Sequence, residues 1–289
     1  MKIPRQSLKD PLLEKELLDN GFVVVPFFDS ATVSDLKDFY QRLTVDETNE
    51  IFASTHSNDL DYKRRINEKI KSTYKEQVEQ YFHNPLILGG TFVVKPPGKG
   101  VSHPHLDWNL VHEGPFRSCN VWVPLIDLDE VNGVIEVLPG SHKLLPTYRG
   151  PNIPDRTNDL QEFFWNTMTK LYLKAGQALI YDHRLIHGSR DNMSDVIRPA
   201  TACAVTNKTA ELRLYYLNQE NGVIETFTGN NIEYLLSNSR LEKPTEMERL
   251  GSVENYDTRQ LTHADFDFLG LPSDIKQSPF ARLIQKLFN

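Results

Sequence analysis

Between residues 86 and 217 the chain is cut by proline and glycine into short apolar segments, and that rhythm constrains the fold more than any other feature. The segments span 86–94, 101–107, 118–127, 133–138, 177–182, 200–206 and 210–217. Each has the length of a strand, and turn residues separate them at short intervals. Such a pattern predicts a β-sandwich or barrel, and the count fits a jelly roll. Upstream, apolar residues at helical spacing predict a helix over 7–20, stopped by Asn20-Gly21. A strand over 22–28, a helix over 31–43 capped by Ser30, and a helix over 70–82 follow. The expected fold is mainly β: a double-stranded β-helix (jelly roll, cupin-like) with packed helices and an inserted lid. One domain is expected over 1–289. It divides into an N-terminal strand and helices (1–85), the core (86–218, with an insert at 143–172) and a C-terminal extension (219–289). That extension is polar and mixed, and ends in an apolar-sided helix over 275–288. Segments 50–72 and 143–170 are the lid candidates, and Lys63 or Arg64 could reach a site from the first.

Hydrophobic residues at 39% and charged residues at 25% describe a globular chain that can bury a core. A net charge of -7 disfavours a nucleic-acid partner, whose phosphates attract basic surfaces. Cys119 and Cys203 form no CxxC pair, so neither a disulfide scaffold nor a zinc ribbon is expected. The first residues lack the apolar stretch of a signal peptide, and no run is long enough to span a bilayer. A cytoplasmic location and no membrane partner are the expectations. Oligomeric state is not legible.

His105 and Asp107 stand two apart in one of the short segments, so in a strand their side chains would leave the same face. His187, in His187-Gly188-Ser189, ends another apolar run. Two histidines and a carboxylate without a thiolate suit a non-haem Fe(II) site, which keeps open positions for a bidentate keto acid and O2. Arg198 lies eleven residues past His187. A guanidinium there could hold the far carboxylate of 2-oxoglutarate through two parallel hydrogen bonds. Nine histidines leave room for other assignments. His103 could compete as a ligand, His183 shares a strand face with His187 and is expected to pack or hydrogen-bond, and His142 reads as a turn residue.

Several stretches together resemble the phytanoyl-CoA dioxygenase family. They are His105-Leu106-Asp107-Trp108, Trp122-Val123-Pro124-Leu125, Asn132 to His142, His187-Gly188-Ser189 and Arg198, with Lys95-Pro96-Pro97 upstream. The resemblance covers about residues 86–210 in order. It implies an Fe(II)- and 2-oxoglutarate-dependent dioxygenase that uses O2, with His105, Asp107 and His187 as iron ligands. Arg198 would bind 2-oxoglutarate, with Ser189 beside it and Trp122 and Thr91 lining the pocket. Asn120 is added from alternation, two residues before Trp122. Related halogenases replace the carboxylate with a small residue, so Asp107 favours oxygen insertion or another oxidation.

The expected reaction is hydroxylation of an unactivated C–H bond in a small-molecule substrate, with release of succinate and CO2. Trp108, Asn109 and His112 could line the substrate cavity, as could Tyr215 or Tyr216. Arg64, Arg117, Arg149 and Arg190 are possible anion contacts. Two alternatives stand beside this reading. One is a jelly-roll metalloenzyme that does not use 2-oxoglutarate, for which Arg198 would be solvent-exposed. The other is a non-catalytic small-molecule binding protein of the same fold.

Overall fold

The computed structural model describes residues 6–43, 50–144, 148–238, 242–253, 256–257 and 259–271. In chain order the elements are α1 (Pro11–Asn20), β1 (Phe22–Pro26), α2 (Ser30–Gln41), β2 (Phe52–Ala53), α3 (Leu60–Tyr81), β3 (Pro85–Lys95), β4 (Ser102–His105) and β5 (Ser118–Pro124). There follow β6 (Ile135–Val137), α4 (Gln161–Thr167), β7 (Thr169–Leu171), β8 (Gln177–Asp182), β9 (His187–Ser189) and β10 (Arg198–Asn207). The last are β11 (Arg213–Asn218), β12 (Val223–Thr228), α5 (Asn231–Leu235) and β13 (Arg249–Val253). The helix expected over 275–288 lies outside the described residues.

Local chemistry sets the first boundaries. The Asp10 carboxylate accepts from the Leu12 and Leu13 amides, Pro11 begins α1, and Gly21 ends it at φ 87°. Asp29, not Ser30, caps α2, because its carboxylate accepts from the Thr32 amide while Ser30 is already helical. Helix α3 starts ten residues before the expected 70. Its buried stripe of Tyr62, Ile66, Ile70, Tyr74 and Val78 recurs every four residues beneath a heavily charged outer face.

Two sheets face each other. The larger runs β1-β8-β5-β10-β3-β2 and the smaller β4-β9-β6-β7, with antiparallel pairing throughout. This is the expected jelly-roll arrangement. Strand β5 shows how one sequence serves both sides. Cys119, Val121 and Val123 join the core beneath the helices, while Asn120 and Trp122 point to the interior of the sandwich.

Register then builds two inward rows. Tyr181, Asn120, Ala204 and Gly89 are successive partners across β8, β5, β10 and β3. Leu179, Trp122, Ala202 and Thr91 form the next row. Alanine and glycine on the inner face leave room between the sheets, and that room is the site.

A third sheet, β11-β12-β13, joins the strand expected over 210–217 to two strands from the segment expected to be a polar extension. The boundary expected at 218 falls in the turn between β11 and β12, which pair from Arg213↔Thr228 to Asn218↔Val223. From this sheet α5 reaches back over β3, where Asn230 donates to the Leu88 carbonyl at 3.2 Å. The insert at 143–172 is less a lid than a brace. Thr157 and Gln161 both donate to the Pro104 carbonyl, and β7 belongs to the smaller sheet.

Candidate active site

A cavity of about 400 Å³ opens between the two sheets, and His105, Asp107 and His187 lie on its wall. His105 and His187 are cross-strand partners on β4 and β9, with ring centroids 4.4 Å apart. Gly188 permits that approach, since a Cβ there would stand 2.8 Å from the Ser102 carbonyl oxygen. Asp107 differs from the alternation argument. Strand β4 ends at His105, and Asp107 follows in a loop whose carbonyl accepts from Arg149 Nε at 2.5 Å. The three side chains still converge, with ligand atoms within 4.8 Å of one another.

Each imidazole is turned by a backbone carbonyl. His105 Nδ1 donates to the His103 carbonyl at 2.6 Å, and His187 Nδ1 donates to that of Leu185 at 3.0 Å. Both Nε2 lone pairs are thereby left for a metal, each 3.9 Å from Asp107 Oδ1. Burial pushes the His187 imidazole down to about 4, with His105 adding to the effect, so it stays neutral and able to ligate. Burial opposes ionisation of Asp107, yet His187, His183, His105 and the Tyr181 hydroxyl outweigh it and hold the carboxyl at about 2.

Arg198 sits deeper in the cavity and is 1% exposed. Its Nη1 donates to the Gly133 carbonyl at 3.2 Å, its Nε has no partner, and Trp122 lies 5.4 Å beneath the guanidinium. Among the described residues no carboxylate pairs with it. Burial alone lowers its pKa to about 9. A buried cation without an anion is costly, so this corner fits an incoming carboxylate. The Lys95 amino group is also buried nearby and donates to the Ser189 and Arg190 carbonyls; burial and then Arg198 bring its pKa to about 6.

Of the remaining expected residues, Ser189, Trp122, Thr91, Asn120 and Trp108 line the same cavity. Asn109 and His112 do not. Asn109 is buried and accepts from the Arg149 amide, while His112 is exposed beside Glu211. His103 is exposed and contributes its carbonyl rather than its ring. His183 lines the cavity, with Nδ1 on Ser118 Oγ at 2.8 Å and Nε2 3.9 Å from Asp107 Oδ2.

None of the four arginines proposed as anion contacts reaches the cavity. Arg117 pairs with Glu14 and Asp182, Arg149 with Glu113, Arg190 with Glu136 and Arg64 with Asp61. Neither Tyr215 nor Tyr216 lines it, nor does Lys63; segment 50–72 contributes Ile51, Ala53, Thr55 and His56 instead. Sequence reasoning missed Tyr181, which only the pairing of β8 with β5 brings to Asp107. It also missed Ile232, carried in by α5.

Comparison with known proteins agrees with this geometry. The profile of the family described as phytanoyl-CoA dioxygenase (PhyH) matches residues 17–200, more than half the chain. Among curated proteins, phytanoyl-CoA dioxygenase domain-containing protein 1 of Danio rerio is 33% identical over 124 residues, covering 40% of this chain and 43% of that protein. The peroxisomal phytanoyl-CoA dioxygenase of Mus musculus is 31% identical over 133 residues, covering 42% and 39%. The chain thus matches less than half the length of these relatives.

Two solved structures share the fold. HygX of Streptomyces hygroscopicus, with nickel, 2-oxoglutarate and hygromycin B bound, superposes with a TM-score of 0.50 at 16% identity, over 69% of this chain and 88% of that one. The α-ketoglutarate-dependent carbocyclase SnoK gives 0.51 at 15% identity, over 70% and 86%. With its paired sheets, its convergent His–Asp–His triad and a family profile matching residues 17–200, the chain belongs to the phytanoyl-CoA dioxygenase family of Fe(II)- and 2-oxoglutarate-dependent oxygenases.

Proposed function

We propose that this protein is an oxygenase that hydroxylates an unactivated C–H bond of a small molecule, consuming 2-oxoglutarate and O2 and releasing succinate and CO2. The observation that carries the reading is Arg198. It is a buried guanidinium without an anion, in the same cavity as three convergent metal-binding side chains. A jelly-roll metalloenzyme without 2-oxoglutarate leaves Arg198 exposed, and its burial speaks against that alternative.

His105, Asp107 and His187 would hold Fe(II), which when bound supplies O2 activation coupled to decarboxylation of the keto acid. Arg198 receives the far carboxylate and fixes the co-substrate's direction, with Trp122 flanking it. Neutral His187 and ionised Asp107 keep the site ready at neutral pH.

Apolar walls from Leu106, Trp108, Leu110 and Ile232 exclude water around the substrate. Among the described residues Arg198 is the one lysine or arginine on the lining. That favours a small metabolite over an acyl-CoA thioester, whose coenzyme A phosphates call for a basic entrance.

The test is succinate formation from 2-oxoglutarate by the Fe(II)-loaded protein, compared with Asp107→Ala. Succinate from the wild type, lost in a variant whose circular dichroism is unchanged, supports the reading. Equal succinate from both proteins would refute it.

A further inference from the structure

The hydroxyl of Tyr181 occupies the gap between two of the three groups that would bind the metal. It lies 3.0 Å from Asp107 Oδ2 and 3.1 Å from His187 Nε2. Asn120, its cross-strand partner on β5, donates from Nδ2 to that hydroxyl at 3.0 Å and to Asp107 Oδ2 at 3.4 Å. The two carboxylate oxygens of Asp107 therefore have different surroundings. Oδ1 faces the Nε2 atoms of His105 and His187, whereas Oδ2 takes the hydrogen bonds of Tyr181 and Asn120, with His183 Nε2 3.9 Å away.

Counting hydrogens shows how the arrangement responds to a metal. Asn120 donates to the Tyr181 oxygen, so the tyrosine's single hydrogen is free to go elsewhere. Its acceptors within reach are Asp107 Oδ2 and His187 Nε2, because His187 Nδ1 already carries a hydrogen bonded to the Leu185 carbonyl. Once the Nε2 lone pair is given to a metal, Oδ2 is the acceptor that remains. Metal binding and the O–H···Oδ2 bond then reinforce each other. A carboxylate without that bond could swing its second oxygen onto the metal and take a position the co-substrate or O2 needs.

We propose that Tyr181, oriented by Asn120, is a positioning residue that occupies Asp107 Oδ2, so that the carboxylate would offer a bound metal Oδ1 alone. The inference rests on the reading of His105, Asp107 and His187 as metal ligands. It extends that reading to two side chains outside the ligand set. Partners that hold a ligand in this way typically contribute 10–100-fold, that is roughly one to two orders of magnitude, to metal affinity.

The experiment is anaerobic calorimetric titration of Co(II) into metal-free wild type, Tyr181→Phe and Asn120→Ala, with the Co(II) visible spectrum and the melting curve of each apo-protein. Tyr181→Phe keeps the ring packing and should bind Co(II) about 10–100-fold more weakly, with an apo melting curve close to wild type. Its Co(II) absorption should weaken as the carboxylate closes with both oxygens and the coordination number rises. Asn120→Ala should shift affinity in the same direction by a smaller factor, and it decides the matter if Tyr181→Phe does not fold. Unchanged affinity and spectrum in the folded variants overturn the proposal. So does an intense phenolate-to-iron(III) band in the ferric wild type that Tyr181→Phe lacks, since Tyr181 would then be a ligand itself. A wild type that binds no Co(II), tested alongside the His187→Ala variant, overturns the ligand reading and the proposal with it.

Discussion

His105 and His187 are direct cross-strand partners of the smaller sheet, with ring centroids 4.4 Å apart. Two strands, rather than one motif, bring these imidazoles together, and a one-residue slip between them would turn one away. Gly188 lets the two strands come that close, because a Cβ there would meet the Ser102 carbonyl at 2.8 Å. Gly188→Ala is expected to destabilise the fold by about 1–3 kcal/mol through overpacking and to weaken metal binding more than any change at the exposed His103. Urea unfolding and metal titration of the two variants check this.

Arg198 has no carboxylate partner among the described residues and Trp122 beneath it, an arrangement suited to a planar, forked cation. Arg198→Lys should raise the KM for 2-oxoglutarate by roughly 10–100-fold, the loss of about 1.5–3 kcal/mol from a charge-assisted hydrogen bond. Metal affinity should stay at the wild-type value, which steady-state kinetics paired with metal titration will show.

His142 is buried under Gly21, and its Nε2 donates to the Leu18 carbonyl at 3.0 Å. Burial holds it down to about 4; Asp182 pulls the other way, while Arg184 and Lys143 act with burial. Below about 6.5 the unfolded chain therefore takes up a proton that the folded chain refuses until about 4. Unfolding free energy thus rises with pH across that window, and falls by about 1.4 kcal/mol per unit as the pH drops through it. His142→Gln should flatten this dependence, so that between pH 7 and 5 the variant loses about 2 kcal/mol less than wild type. Parallel curves would contradict the assignment.

Gly89 lies under Ile232, where an added Cβ would come within 2.0 Å of Ile232 Cγ2. Gly89→Ala should cost about 1–3 kcal/mol. Combining it with Ile232→Ala should recover most of that loss, a coupling that a double-mutant cycle measures directly. Strictly additive costs would mean that α5 does not cover this part of the cavity.

Much of this architecture was legible in the chain. Strands such as Ser118–Pro124 alternate cleanly because one face meets the helices and the other the cavity. The three convergent side chains His105, Asp107 and His187 were legible from residue type, but at Asp107 the geometric argument was incomplete, since a loop held by Arg149 replaces the strand. The start of α3 was hidden because the charged residues around Lys63 and Arg64 obscure the stripe from Tyr62 to Val78. Strand β13, Arg249–Val253, is largely exposed and carries no inward pattern to read. Tyr181 and Ile232 were not legible at all, because each acquires its place only through strand pairing or packing between distant segments.

The most direct test of the account is anaerobic titration of Fe(II) and 2-oxoglutarate into the metal-free protein, followed through the weak visible metal-to-ligand charge-transfer band of the chelated keto acid. The account predicts that the band forms in wild type, is absent from His187→Ala, and in Arg198→Ala appears only at much higher 2-oxoglutarate. Metal binding without the band at saturating 2-oxoglutarate would contradict it.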